Sequence, residues 1–294
     1  MTAGATRYRV SHRTRYTYSA PVSHGQTIAH LVPRTTATQV VVAAALSSDP
    51  APDHRSEYAD CFGNQVTYLA FEEPHHAVEL TATSEVLVEP FAWPTASPPW
   101  EEVVAALDTD RTTAGIEARL CRTPSAMVAW PPEAQDLARG AFRPGRPLHD
   151  AVAELTARIH REFGFDPAAT DVSTPVGDVL ARRRGVCQDF AHLAIACCRS
   201  LGLAARYVSG YLETLPAPGQ PKLVGADASH AWFAVYLPGW GWFDADPTND
   251  QAPPRRHVTV AWGRDYADVA PARGVVFGPA TMQELDVAVD VASS

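Results

Sequence analysis

The chain carries five cysteines, at positions 61, 121, 187, 197 and 198. One of them occupies a position unlike the rest. In RRRGVCQDFAHLAIACCRSLG, Cys187 stands where an apolar, helix-forming run begins, whereas Cys197 and Cys198 fall well inside that run. A thiol is a good nucleophile only as thiolate, and the unpaired N–H groups and partial positive charge at a helix start stabilise an anion. Gly185 allows a tight turn into the helix, and the same N–H groups could hold the oxyanion formed when sulfur attacks a carbonyl. A lone cysteine is more often a small buried hydrophobe, so this chemistry requires a base.

His230, in ASHAWFAVYL, is the best candidate because it opens a strand, where a side chain can project from the sheet end. By alternation it shares a face with Trp232, Ala234 and Tyr236. In GWFDADPTND, Trp242, Asp244 and Asp246 fall on one face, so either carboxylate could orient the imidazole and stabilise its protonated form. Periodicity leaves both open, and the plainer role for either is to cap the turn at Pro247. His192 comes five residues after Cys187 and points about 140° away round a helix, which suits a structural role. Arg182, Arg183 and Arg184 read mainly as a solvated basic face. No closely spaced pair of Cys or His residues marks a metal site, so neither metal nor cofactor is expected.

The elements that must position these groups follow from periodicity. From Tyr8 to Tyr18 every second residue is suited to a core, and further strands read at 40–46, 65–71 and 78–88, with a turn at Gly63-Asn64. This predicts a β-sandwich over residues 1–90. The proline-rich stretch 91–102 reads as a linker, within a linker and helical segment spanning 91–145. Leu148, Val152, Leu155, Ile159 and Phe163 predict an amphipathic helix over about 147–163. The helix beginning at Cys187 is apolar on nearly every side and belongs in the middle of a domain. Strands then read at 206–212, 230–237 and 241–246, with a closing strand at 284–291. The expected architecture is α+β, with helices packed on an antiparallel sheet forming a second domain over 146–294.

The ordered segments GVCQDFAHL, ARYVSGYL, SHAWFAVYLPGWGW and DADPTND resemble the core of the transglutaminase-like superfamily, whose members share a papain-like Cys-His-Asp site. YRVSHRTRYTYSAPV, LVPR and DCFGNQV resemble the bacterial transglutaminase N-terminal region, and GRDYADVAPARGVVFG is similar to the segment that follows the bacterial core. The resemblance implies Cys187 as nucleophile, His230 as general base and then acid, and Asp246 as the orienting carboxylate, with Asp244 a flanking residue. Phe165 stands where similar sequences often have tyrosine. No acidic loop of the calcium-binding kind is evident. Trp232, Trp242, Arg264 and Tyr266 are expected to border a substrate cleft, with Trp240 nearby.

The expected activity is cysteine-dependent acyl transfer through a thioester, on a peptide, protein or small amide substrate, with water or an amine as acceptor. The competing expectation is a non-catalytic binding protein on the same scaffold. The sequence has 24 Lys and Arg against 33 Asp and Glu, a net charge of −9, which argues against nucleic acid or an anionic membrane as partner. Without a long apolar run or a signal-peptide pattern, the expected location is cytoplasmic, with reduced thiols.

Overall fold

A computed structural model describes residues 4–214, 228–254 and 256–294. The first ninety residues form six strands, β1 (Thr6–Val22), β2 (His24–Ala29), β3 (Gln39–Asp49), β4 (His54–Ala59), β5 (Gln65–Phe71) and β6 (His75–Val88). Three helices follow, α1 (Trp100–Thr109), α2 (Thr113–Leu120) and α3 (Pro132–Ala141). Next come α4 (Leu148–Glu162), the short strand β7 (Gly164–Phe165), α5 (Val176–Arg182), the short strand β8 (Arg184–Gly185) and α6 (Cys187–Ser200). The chain ends with β9 (Ala205–Leu212), β10 (Ala228–Leu237), β11 (Gly241–Ala245), β12 (His257–Gly263), α7 (Tyr266–Val269), β13 (Ala272–Phe277) and β14 (Gln283–Ser293).

Alternation in β1 sends Tyr8, Val10, His12 and Thr14 inward and leaves Arg7 and Arg13 to pair with the surface carboxylates of Glu85 and Asp286. Two four-stranded antiparallel sheets, ordered β14-β1-β6-β3 and β13-β2-β5-β4, enclose a cluster that includes Val22, Leu46, Leu69, Phe71 and Leu80. Both sheets therefore take an edge strand from the C-terminus. The closing strand expected to complete the second domain instead pairs with β1 along its whole length, from Tyr8 opposite Ser293 to Tyr18 opposite Gln283. Pairing partners this far apart in sequence are set by tertiary packing, which local alternation does not report.

The sheet that matters for chemistry is antiparallel and ordered β11-β10-β9-β12. Helix α6 lies on one face, and its residues from Asp189 to Arg199 are all buried among β9, β10, α3, α4 and α5. Arg199, a cation at 2% exposure, is held by the carbonyls of Cys121, Thr123, Ala205 and Arg264 and the hydroxyl of Ser125, the acceptor set that a buried guanidinium requires. The linker region is not loosely attached. Trp93 donates to the Asp244 carbonyl at 2.7 Å, and Ala134, Leu137, Ala138 and Ala141 of α3 enter the same core as α6.

One edge of this sheet is β12, and two side-chain amides from the N-terminal half cap it. Gln39 donates to the Thr259 carbonyl at 2.7 Å and accepts the Thr259 N–H at 2.8 Å. Asn64 does the same for Trp262, at 2.8 and 2.9 Å. Each amide supplies the donor and acceptor that a neighbouring strand would otherwise provide. Among the described residues, no helix is long and apolar enough to cross a membrane.

Candidate active site

Helix α6 begins abruptly because Val186 is extended and Asp189 folds back beneath it. The Asp189 carboxylate accepts the Val186 N–H at 2.8 Å and the Thr170 hydroxyl at 2.6 Å. This close approach accounts for Gly185, where a Cβ would stand 2.6 Å from the Asp189 carboxylate oxygen. Asp189 thus occupies the first helical turn, and the thiol of Cys187, half-buried at the first helical position, stands at the opening of the helix. The three preceding arginines face solvent and pair with Asp178, Glu162 and Asp166.

His230, on β10, is buried to 8% exposure and hydrogen-bonds through Nε2 to Asp246 Oδ2 at 2.8 Å. A carboxylate only accepts, so Nε2 carries the proton, and Nδ1 is the ring nitrogen left for the Cys187 thiol, which is close enough to act on the charge of this imidazole. Burial opposes a charge on the ring, but the hydrogen bonds and charges of Asp246 and Cys187 together outweigh it and raise the His230 pKa to about 10.

Asp246 is fully buried just beyond β11, and its two oxygens do different work. Oδ1 accepts the N–H groups of Thr248 (2.9 Å) and Asn249 (3.3 Å), closing the turn that Pro247 begins. Oδ2 accepts from His230, from the Asn249 side chain at 2.8 Å and from His257 Nε2 at 3.0 Å. Burial alone would raise its pKa. The donors, led by the two histidines, instead hold it far below the usual carboxylate range. The turn-capping and histidine-orienting roles are therefore both filled by this one residue. Asp244 takes neither, since its carboxylate accepts the Trp232 indole N–H at 2.9 Å.

His257, at the start of β12, is the residue that sequence reasoning missed. It is 1% exposed, its pKa is lowered by burial and by the charge on His230, and among the described residues its Nδ1 has no partner. Among the described residues, His230, Asp246 and His257 are the grouped side chains that could share a metal ion. Both imidazoles, however, direct Nε2 at the same carboxylate oxygen within 3.0 Å. Those nitrogens must be protonated donors there, an arrangement that leaves their lone pairs unavailable to an ion.

The residues expected to border a cleft are placed differently from one another. Trp232 is at 0% exposure with its ring laid across Gly210, where a Cβ would come within 2.6 Å of the indole, and it packs edge-on to His257. It forms the floor under the histidines and is sealed from solvent, which corrects the expectation that it walls a substrate cleft with Trp240 and Trp242. Trp242 lines a cavity with Trp240, on the sheet face opposite α6. The Arg264 guanidinium is held by Asp268 at 2.9 and 3.0 Å, so it is directed within its own loop. Tyr266 lies partly buried against Tyr207, whose phenol is pushed well above its usual pKa by burial and by the neighbouring Cys187. His192 accepts the Tyr266 N–H at 3.1 Å and anchors α7, and burial lowers its pKa to about 4.

An antiparallel sheet with a cysteine-led helix on one face and a His-Asp pair at its strand ends is the papain-like, transglutaminase-like fold. Residues 8–87 match the bacterial transglutaminase-like N-terminal region, and residues 135–247 match the transglutaminase-like superfamily. Uncharacterized proteins of Mycobacterium tuberculosis and Mycobacterium bovis are 41% identical over 302 residues, covering 98% of this chain and 93% of theirs. An uncharacterized protein of Mycobacterium leprae is 32% identical over 289 residues, covering 97% of this chain and 98% of its own. A solved structure from Cytophaga hutchinsonii, described as a candidate cysteine protease, superposes with a TM-score of 0.77 at 24% identity, covering 100% of this chain and 92% of that one. The chain belongs to the transglutaminase-like superfamily and carries the bacterial N-terminal region.

Proposed function

We propose that this protein is a cysteine-dependent acyl-transfer enzyme in which Cys187, His230 and Asp246 act as one unit. The observation that carries the reading is a single buried imidazole hydrogen-bonded to Asp246 at 2.8 Å and lying within electrostatic reach of a thiol at a helix start. In this reading the Cys187 sulfur attacks the carbonyl carbon of a peptide or carboxamide, and the developing oxyanion is met by first-turn N–H groups of α6 that intrahelical bonding leaves open. His230 delivers its proton to the departing amine and a thioester remains. Water or an acceptor amine then attacks, with neutral His230 taking its proton, and the free thiol returns. Asp246 keeps the imidazole in the required tautomer throughout, and His257 holds the Asp246 oxygen in place as a positioning residue.

The test is to incubate the wild type and Cys187→Ala with a library of short peptides and amides and to read intact mass after an acid quench. A mass increase equal to the acyl group, on wild type alone and located at Cys187, is the expected result. Equal modification of both proteins, or turnover by Cys187→Ala, would overturn the reading. Adding a primary amine to the reaction reports which acceptor resolves the thioester.

A further inference from the structure

On the face of the core sheet opposite α6, a cavity of about 430 Å³ opens between β9, β11, β12 and the segment 36–39 of the N-terminal half. Its walls are aromatic. Trp240, half-exposed at 50%, stands at the rim beside Phe91, and Trp242 and Trp262 lie within. Between the last two indoles lies the guanidinium of Arg206, 4.3 Å from the ring centre of Trp242 and 3.7 Å from that of Trp262. Arg206 is at 8% exposure, yet among the described residues its Nε has no hydrogen-bond partner.

The same chain shows how a buried guanidinium is normally treated, because Arg199 is ringed by backbone carbonyls. Among the described residues, no carbonyl or carboxylate accepts a hydrogen bond from Arg206 in this way. Burial pulls its pKa down to about 9 despite the attraction of Asp244, whose carboxylate already accepts from Trp232. A buried guanidinium short of acceptors is costly, and one whose exposed edge lines an open cavity can gain an acceptor from what enters it. The planar fork of arginine suits a carboxylate, and flanking indoles favour a flat apolar body.

We propose that this cavity is a second ligand site, separate from Cys187, for a small aromatic molecule bearing a carboxylate. The carboxylate meets Arg206, and the ring lies among Trp240, Trp242 and Phe91. Because Asp244 also lines the cavity, its charge tempers the attraction, so phenylacetate, as the simplest probe, is expected to bind weakly but selectively. This inference does not depend on the acyl-transfer reading.

The experiment is calorimetric titration of the full-length protein with phenylacetate, phenylacetamide and phenethylamine, which share a ring and differ in charge. Phenylacetate should bind at least tenfold more tightly than the other two. Arg206→Gln should lose that preference, and Trp240→Ala, a change at an exposed rim position that leaves the core intact, should weaken phenylacetate at least threefold. Cys187→Ala should bind it as wild type does. Equal binding of the amine and the carboxylate, wild-type affinity in Arg206→Gln or Trp240→Ala, or loss of binding in Cys187→Ala would each overturn the proposal.

Discussion

Two ends of one helix hold chemically similar groups in opposite circumstances. At the start of α6, Cys187 is half-buried, next to an imidazole held by a buried carboxylate. Three turns on, Cys197 and Cys198 are fully buried, and burial raises the first thiol well above its usual pKa and the second to about 12. Cys197 donates to the Ala134 carbonyl at 3.2 Å and otherwise fills space between α3 and α6. What separates a reagent from a packing atom here is position on the helix and the company of His230, since side-chain type is the same.

The comparison is broken most decisively by exchanging sulfur for hydrogen at each end. Cys187→Ala should lower turnover by roughly 10⁴-fold or more with little change in Tm. Cys198→Ala should do the reverse, leaving kcat/KM within about threefold while costing about 1–3 kcal/mol of stability in denaturant unfolding, the usual scale for removing buried atoms from a packed core. Next in size is Asp246→Asn, which removes the charge that holds the His230 imidazole charged and oriented. A loss of about 10²–10⁴-fold in kcat/KM is expected, with kcat carrying most of it.

His257→Gln should cost about tenfold in kcat/KM, roughly 1.4 kcal/mol, the scale of one hydrogen bond to a charged group. A merely structural role would lower Tm without altering the pH profile. As a positioning residue, His257 should also shift the alkaline limb of that profile, because the Asp246 oxygen that charges His230 becomes less fixed.

The smallest expected effect is on stability against pH, and its sign follows from the folded and unfolded pKa values. His230 rises from 6.5 to about 10 on folding, so its contribution is complete below pH 6.5 and disappears as pH climbs through 10. Asp246 is depressed on folding, so its contribution is present above its unfolded value of 3.8 and fades on acidification. These describe one ion pair and count once. His12 and His192 act in the opposite sense to His230. Burial lowers each to about 4, so they remove stability as pH falls below 6.5. Denaturant midpoints should therefore fall on both sides of a neutral plateau, and His230→Gln should flatten the alkaline side and also soften the acid side, because the same pair depresses Asp246.

Much of this was legible in the sequence, and what was not has a physical reason. The helix at 187, the amphipathic helix that forms α4 and the strands β9, β10 and β11 announce themselves through local periodicity. Strand β4, HRSEYA, has every residue exposed and so no alternation to read, and β2 is short and polar. His257 follows the proline-rich stretch QAPPRR and reads as loop, and only the pairing of β12 with β9 carries it to Asp246. Trp232 alternates correctly, but alternation does not say that Gly210 on the next strand lets its ring lie flat and be covered. The edge strand β14 finds its partners 265 to 285 residues away, from Tyr18 opposite Gln283 to Tyr8 opposite Ser293, beyond any local signal.

The central claim is that the reactivity of Cys187 belongs to a unit that includes His230, and alkylation measures this most directly. Wild type and His230→Gln are treated with limiting iodoacetamide at pH 6, and the rate at each cysteine is read by peptide mapping, with exposed Cys61 as internal reference. Cys187 should react at least tenfold faster than Cys61 in wild type and lose that advantage in His230→Gln, while Cys197 and Cys198 stay unlabelled in both. Equal rates at Cys187 and Cys61, or a Cys187 rate indifferent to the loss of His230, would contradict the account.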